Sequence, residues 1–124
     1  MKHLLLLMVV VIATALSQVR AQSLTNTNWK AYLADQVNDT LTLHIKADSS
    51  FVTNSMGATV VRSACKISGD TLSLTDVDGE YACPAVTGKY KITITGDVLS
   101  FALIEDPCEG RAGALPGTKW KKTK

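Results

Sequence analysis

Three cysteines, Cys65, Cys83 and Cys108, are the residues whose chemistry depends most on their surroundings. Three thiols leave three possible pairings for one disulfide. We favour Cys83 with Cys108, because both lie outside the strand-like segments and each adjoins a proline. Closing that loop would stabilise the fold by about 3 kcal/mol. Cys65 shares the alternation of Val61 and Ile67, which predicts a buried, inert thiol.

His44 is the only histidine beyond the first few residues of the chain. In its segment Leu43 and Ile45 alternate with polar residues, so His44 is predicted to point outward. A Ser-His-Asp or Cys-His catalytic arrangement needs a histidine beside the nucleophile, and a metal site needs further ligands. The sequence therefore favours a protein that is not an enzyme and has no metal and no cofactor.

Two acidic groups could bind cations or cap turns. Asp76, Asp78 and Glu80 have a spacing like that of a calcium loop, but the further oxygen ligands and flanking helices of an EF-hand are missing. We expect a solvated turn there, with a weak calcium site as the alternative. Asp106 is expected to cap a short turn and to pair with Arg111.

The N-terminal segment has the pattern of a signal peptide. Residues 4–16 form an apolar run that is too short to span a membrane as a helix. Val19-Arg20-Ala21 fits a cleavage site before Gln22, and residues 15–17 form a second, weaker candidate. These features predict an exported protein, secreted or periplasmic, without stable membrane insertion.

We assign residues 1–21 to the signal peptide and residues 22–124 to one domain. The whole chain has 13 basic and 11 acidic residues. Since Lys2 and Arg20 belong to the leader, the domain is close to neutral. The sequence therefore does not support nucleic-acid binding.

Period-two alternation of apolar and polar residues dominates the domain. It is clearest in residues 88–105, where two alternating runs flank Gly96-Asp97, a pair typical of a hairpin turn. Turn residues recur about every 8–12 positions, and no long helical pattern occurs. The sequence predicts an all-β fold: a single small antiparallel up-and-down β-barrel of about eight short strands. The expected segments are residues 29–34, 39–46, 51–55, 58–68, 71–75, the 88–105 hairpin and 118–122, with one helical turn at 108–112.

The domain resembles a small bacterial lipocalin-like, or calycin-type, protein. The residues that carry this resemblance are Asn28-Trp29, the two Gly-Asp-x-Leu hairpins at 69–72 and 96–99, Gly88-Lys89-Tyr90, the run Asp106 to Arg111, and Trp120. The resemblance implies that Arg111 stacks on Trp29 to close one end of the barrel, a cation–π contact. Thr27 stands where the family has glycine before the tryptophan.

Eight strands leave an interior that is either filled by side chains or able to hold one small ligand. Five aromatic residues are expected inside, and the hydroxyl of Tyr90 could orient a ligand. Our first hypothesis is an exported protein that binds a small apolar ligand without chemistry. The residues expected to line that site are Trp29, Leu43, Leu74, Tyr90, Phe101 and Leu103, and the other two interior aromatics are Phe51 and Trp120.

The alternative is a protein-binding module of the same fold, such as an inhibitor of an exported protease. In that case residues 22–28 would insert into the target protein. A filled interior would favour this alternative over the carrier. A weak enzyme is the third hypothesis.

Overall fold

The computed structural model describes residues 24–123 and confirms the predicted all-β barrel. The predicted signal peptide, residues 1–21, lies outside the described residues. Within residues 24–123, eight antiparallel strands and one short helix follow one another. They are β1 (Thr27–Leu33), β2 (Asp39–Ile45), β3 (Ser49–Thr53), β4 (Thr59–Ser68), β5 (Thr71–Asp78), β6 (Thr87–Thr95), β7 (Val98–Glu105), the helix α1 (Glu109–Ala114) and β8 (Trp120–Lys122).

Each strand pairs with the next in sequence, and β8 closes the ring by pairing with both β7 and β1. Each of these two closing ladders contains two residue pairs. Trp29 lies opposite Lys122 in one, and Leu99 lies opposite Trp120 in the other. Closure leaves fewer unpaired backbone groups than an open sheet would. Within the described residues, no helix is long and apolar enough to cross a membrane.

The predicted alternation of apolar and polar residues determines which side chains form the core. In β1 the residues Trp29, Ala31 and Leu33 are buried, and the residues between them are exposed. Side chains of a strand point alternately to its two faces, so this pattern directs one row into the barrel. The Gly96 turn joins β6 to β7 with a φ of 62°, a left-handed conformation that glycine adopts without strain.

The two ends of the barrel differ. At the lower end, tight turns at 69–70 and 96–97 join the strands, and side chains fill the interior around Leu24 and Trp29, which are 0% and 1% exposed. At the upper end lie the longer connections 34–38, 54–58 and 79–86, together with α1.

Phe51 was predicted to be internal, but it lies on the outer face of β3. Its neighbour Ser50 is buried and Val52 lines the interior, so alternation sends Phe51 outward. There it stacks on His44, with ring centroids 4.3 Å apart. Both faces of β3 carry an apolar side chain, Phe51 on one and Val52 on the other, so the sequence pattern did not indicate which face points inward.

The predicted disulfide between Cys83 and Cys108 is present, with 6.1 Å between the Cα atoms. It ties the 79–86 connection to the residue that precedes α1. Cys65 is free and buried, as predicted. Burial raises the pKa of its thiol, and the nearby charge of Asp48 raises it further, so the inert protonated form predominates.

We expect reduction of this disulfide to lower the free energy of unfolding by about 3 kcal/mol, since the unfolded chain regains the entropy of the opened loop. Urea unfolding of the protein with and without a thiol reductant measures the loss. The double variant C83S/C108S is the control, because the reductant has nothing to cleave in it. Equal unfolding midpoints for the native protein in both conditions would contradict the prediction.

Candidate functional site

A cavity of about 330 Å³ occupies the upper half of the barrel. It lies at the low end of the range typical of small-molecule sites. Three exposed residues, Gln36, Tyr81 and Gly110, contribute to its lining, so the cavity reaches solvent at the upper end. Its wall is mainly aliphatic and includes Leu33, Leu41, Leu43, Val52, Val61 and Leu74.

Of the six residues predicted to bind a ligand, the structure brings Leu43 and Leu74 to the cavity wall. Trp29, Tyr90 and Phe101 are buried but do not line the cavity. Tyr90 and Phe101 instead pack edge to face, with ring centroids 6.0 Å apart. These large rings fill part of the interior, which confines the cavity to the remaining space.

Leu103, the sixth, is 49% exposed and does not line the cavity. The β6–β7 register shifts between Lys89 and Tyr90, close to where Leu103 pairs. Moreover β8 pairs with β7 only at Val98 and Leu99. At Leu103, β7 therefore has no paired β8 residue beside it, and its side chain is left exposed.

Arg111 provides the positive charge at the polar side of the cavity. Its Nη1 atom lies 2.9 Å from Oδ1 of Asp76, and the two side chains are 9% and 3% exposed. Asp76 also accepts hydrogen bonds from the Ser63 hydroxyl at 2.7 Å and from the Cys83 backbone N–H at 2.9 Å. Ser63, Asp76 and Arg111 all line the cavity.

Arg111 also holds Asp106, as predicted. Its Nε donates to Oδ2 at 2.6 Å and its Nη2 donates to Oδ1 at 2.9 Å, a bidentate pair. Asp106 accepts from the Cys108 backbone N–H at 2.9 Å, the predicted cap, and from the Tyr90 hydroxyl. A second bond from Nη2 reaches the Val86 carbonyl at 2.9 Å. Tyr90 thus orients Asp106 in this structure.

Burial alone would raise the pKa of Asp106, but the bonds that it accepts from Arg111, Tyr90 and Cys108 outweigh burial and hold its pKa below the ordinary value. Burial and the hydrogen bond to Asp106 raise the pKa of Tyr90 well above its ordinary range. For Arg111 the adjacent carboxylates outweigh burial and raise its pKa. At neutral pH the cluster therefore contains a neutral phenol, a carboxylate and a guanidinium.

The stack of Arg111 on Trp29, which the lipocalin resemblance implies, is not among the ring contacts of residues 24–123. Arg111 belongs to α1 at the upper end, whereas Trp29 lies near the start of β1 and is paired with Lys122. The Trp29 indole donates to the Thr27 hydroxyl at 2.7 Å. Thr27 thus satisfies the buried indole N–H.

Trp120 lines the cavity from β8 and is 2% exposed, as its predicted inward orientation requires. Unlike Trp29, it has no hydrogen-bond partner for its buried Nε1 among the described residues. Nη1 of Arg111 is also buried, and the Asp76 carboxylate 2.9 Å away is its partner in an ion pair. The Trp120 indole N–H is therefore an unsatisfied donor on a cavity-lining residue.

The acidic triplet at 76–80 is not one solvated turn. Asp76 is 4% exposed and belongs to β5, which is longer than predicted and reaches Asp78. Asp78 and Glu80 are exposed. Within residues 24–123, no group of three or more histidine, cysteine or acidic side chains could hold a metal ion.

His44 points away from the interior, as predicted, although it is only partly exposed. Its ring nitrogens contact Asn28 Oδ1 and Thr53 Oγ1, each at 3.0 Å. Burial and the charge of Lys46 lower its pKa, which favours the neutral ring. This site is separate from the cavity, whose wall does not include His44.

Sequence reasoning missed Asp76 and Arg111 as parts of the cavity. Asp76 has the same parity as Leu72 and Leu74, so the alternation of β5 already indicated an inward carboxylate. A buried carboxylate requires a cationic partner. Arg111 comes from outside the strands, and its position depends on α1.

In comparisons with known proteins, no family model, no curated protein and no solved structure matches this chain.

We expect D106N to lower the free energy of unfolding by about 3–5 kcal/mol at neutral pH, because Arg111 loses one of its two buried counter-charges. The stability due to Asp106 is fully present above its unfolded pKa of about 4 and is lost as pH falls through the lower folded pKa. Below about pH 4, the free energy of unfolding of D106N should therefore depend less on pH than that of the native protein. Urea unfolding at a series of pH values measures both effects.

The matched control is D70N, which removes an exposed carboxylate 3.8 Å from Lys91. Exposed ion pairs contribute about 0–1 kcal/mol, so the free energy of unfolding of D70N should be close to that of the native protein at each pH. Equal losses in D70N and D106N would contradict a special role for the buried cluster.

Proposed function

We propose that this protein is an exported carrier that holds one small, mainly apolar molecule inside its barrel and performs no chemistry on it. The observation that carries the proposal is the 330 Å³ cavity with an aliphatic wall and a few polar groups on one side. This combination is typical of small-molecule sites, in which apolar area gives affinity and polar groups give orientation. The ligand is bound by Leu43, Leu74 and Trp120, and the mouth lies beside Tyr81.

The barrel is compatible with a lipocalin-like architecture, and the proposed family assignment rests on that likeness and on the short motifs of the sequence. An eight-stranded barrel has room for one small ligand when its side chains do not fill it. Export is supported by the disulfide, since such bonds persist in oxidising compartments, and by the leader-like pattern of residues 1–21.

The protein-binding alternative gains less support. It requires residues 22–28 to insert into a target, yet the described part of that segment is engaged with the barrel itself. Leu24 is fully buried, and its carbonyl accepts a hydrogen bond from the Thr27 hydroxyl. Thr27 and Asn28 already pair with β2.

A neutral hydrophobic dye, N-phenylnaphthylamine, tests the carrier proposal directly. We expect its fluorescence to rise on binding to the native protein, and V61F to weaken binding by at least about tenfold, since the larger ring occupies the cavity (about 1.4 kcal/mol per tenfold). Fluorescence titration measures both affinities.

V77F is the matched control: it makes the same substitution at a residue that is 61% exposed and does not line the cavity. It should bind the dye as the native protein does. Circular dichroism establishes that both variants are folded. Native-like dye affinity in folded V61F, or no dye binding by the native protein, would overturn the proposal.

A further inference from the structure

The unsatisfied indole N–H of Trp120 and the charge of the buried cluster together indicate the kind of ligand. We infer that the cavity selects uncharged apolar molecules with a hydrogen-bond acceptor, such as a ketone or an ester, over alkanes and over fatty-acid carboxylates. This inference rests on the carrier function proposed above and narrows its ligand class.

The unsatisfied donor favours a ligand with a hydrogen-bond acceptor. Among the described residues, the indole N–H of Trp120 is buried without a hydrogen bond, and Trp120 lines the cavity. A buried donor without a partner is unfavourable by about 1–3 kcal/mol, so a ligand atom that accepts from it is favoured over one that cannot. An alkane supplies no acceptor, whereas a ketone oxygen supplies one.

The charges disfavour an anion. Arg111 is the one cation among the residues found to line the cavity, and it is already shared between the carboxylates of Asp76 and Asp106. Two carboxylates and one guanidinium give the buried cluster a net charge of −1. A ligand carboxylate would add a second uncompensated negative charge where solvent screens poorly, which is strongly unfavourable.

The donors beside the buried cluster are already occupied. The Ser63 hydroxyl donates to Asp76, the Tyr90 hydroxyl donates to Asp106, and Nη1 of Arg111 is paired with Asp76. The Trp120 indole N–H, which has no partner among the described residues, is therefore the donor to test.

The experiment compares three ten-carbon probes in displacing N-phenylnaphthylamine at neutral pH: methyl octyl ketone, decane and decanoate. We expect the ketone to compete about three- to tenfold better than decane, which corresponds to one hydrogen bond. Decanoate should compete less well than the ketone. In W120F, which keeps an apolar ring but loses the N–H, the ratio of ketone affinity to decane affinity should fall to about one.

Nuclear magnetic resonance of the ¹⁵N-labelled native protein tests the same contact without a variant. The two tryptophans give two indole N–H signals, and that of Trp29 is an internal control because it already donates to Thr27. The ketone should move the Trp120 signal downfield, while decane should move it much less. The Trp29 signal should stay in place with both probes.

The outcomes separate the two proposals. If the dye binds and decane displaces it as well as the ketone does, or if decanoate competes best, the inferred ligand class is overturned and the carrier stands. If W120F is folded and retains the ketone preference, or if the ketone and decane move the native Trp120 signal equally, the role of the Trp120 N–H is overturned. If the dye does not bind the native protein, the carrier proposal and this inference both fail.

Discussion

The upper end of the barrel depends on one cation, Arg111, placed between two buried carboxylates. Asp76 ends the inward row of β5, Asp106 follows β7, and the Val86 carbonyl belongs to the connection between β5 and β6. Neither carboxylate could remain buried and ionised without such a partner. The disulfide reinforces the same arrangement, because the backbone N–H of each of its cysteines donates to one of these carboxylates. Covalent, ionic and hydrogen-bonding constraints thus meet at α1.

The cavity follows from how this end is built. Strand alternation fills the lower end with large apolar side chains, of which Trp29, Leu72 and Leu99 are almost fully buried. At the upper end a short helix and polar side chains take the place of such a layer. A charged cluster cannot interdigitate like aliphatic groups, because its geometry is fixed by its own hydrogen bonds. Space remains between the cluster and the aliphatic wall, and that space is the cavity.

Much of the fold could be predicted from the sequence, because strand periodicity is a local signal. The eight strands, the hairpin at Gly96-Asp97 and the disulfide are confirmed. Errors occurred where the local signal was ambiguous, as at Phe51, or where a tertiary feature decided the result, as at Leu103. The site was less predictable, since it joins residues of β5, β8 and α1 that no local pattern connects. Gly88 illustrates the difference: a Cβ there would collide with the Asp106 carboxylate, a constraint that only the folded chain reveals.

The closing strand has a consequence for how the protein reaches this structure. β8 pairs with β1 through Trp29 and Lys122, residues at opposite ends of the described chain, while every other pairing joins neighbours in sequence. Hairpins can therefore assemble progressively, but the ring is completed only by the contact with the greatest sequence separation and hence the greatest loop-closure entropy. Until β8 docks, β1 and β7 are open edges that can pair with another chain. Three residues, Trp120–Lys122, separate the closed barrel from an intermediate with open edges, and Trp120 lies both in the closing strand and in the wall of the cavity. A molecule bound against Trp120 would stabilise the docked β8, so binding in the cavity and closure of the barrel would be thermodynamically linked.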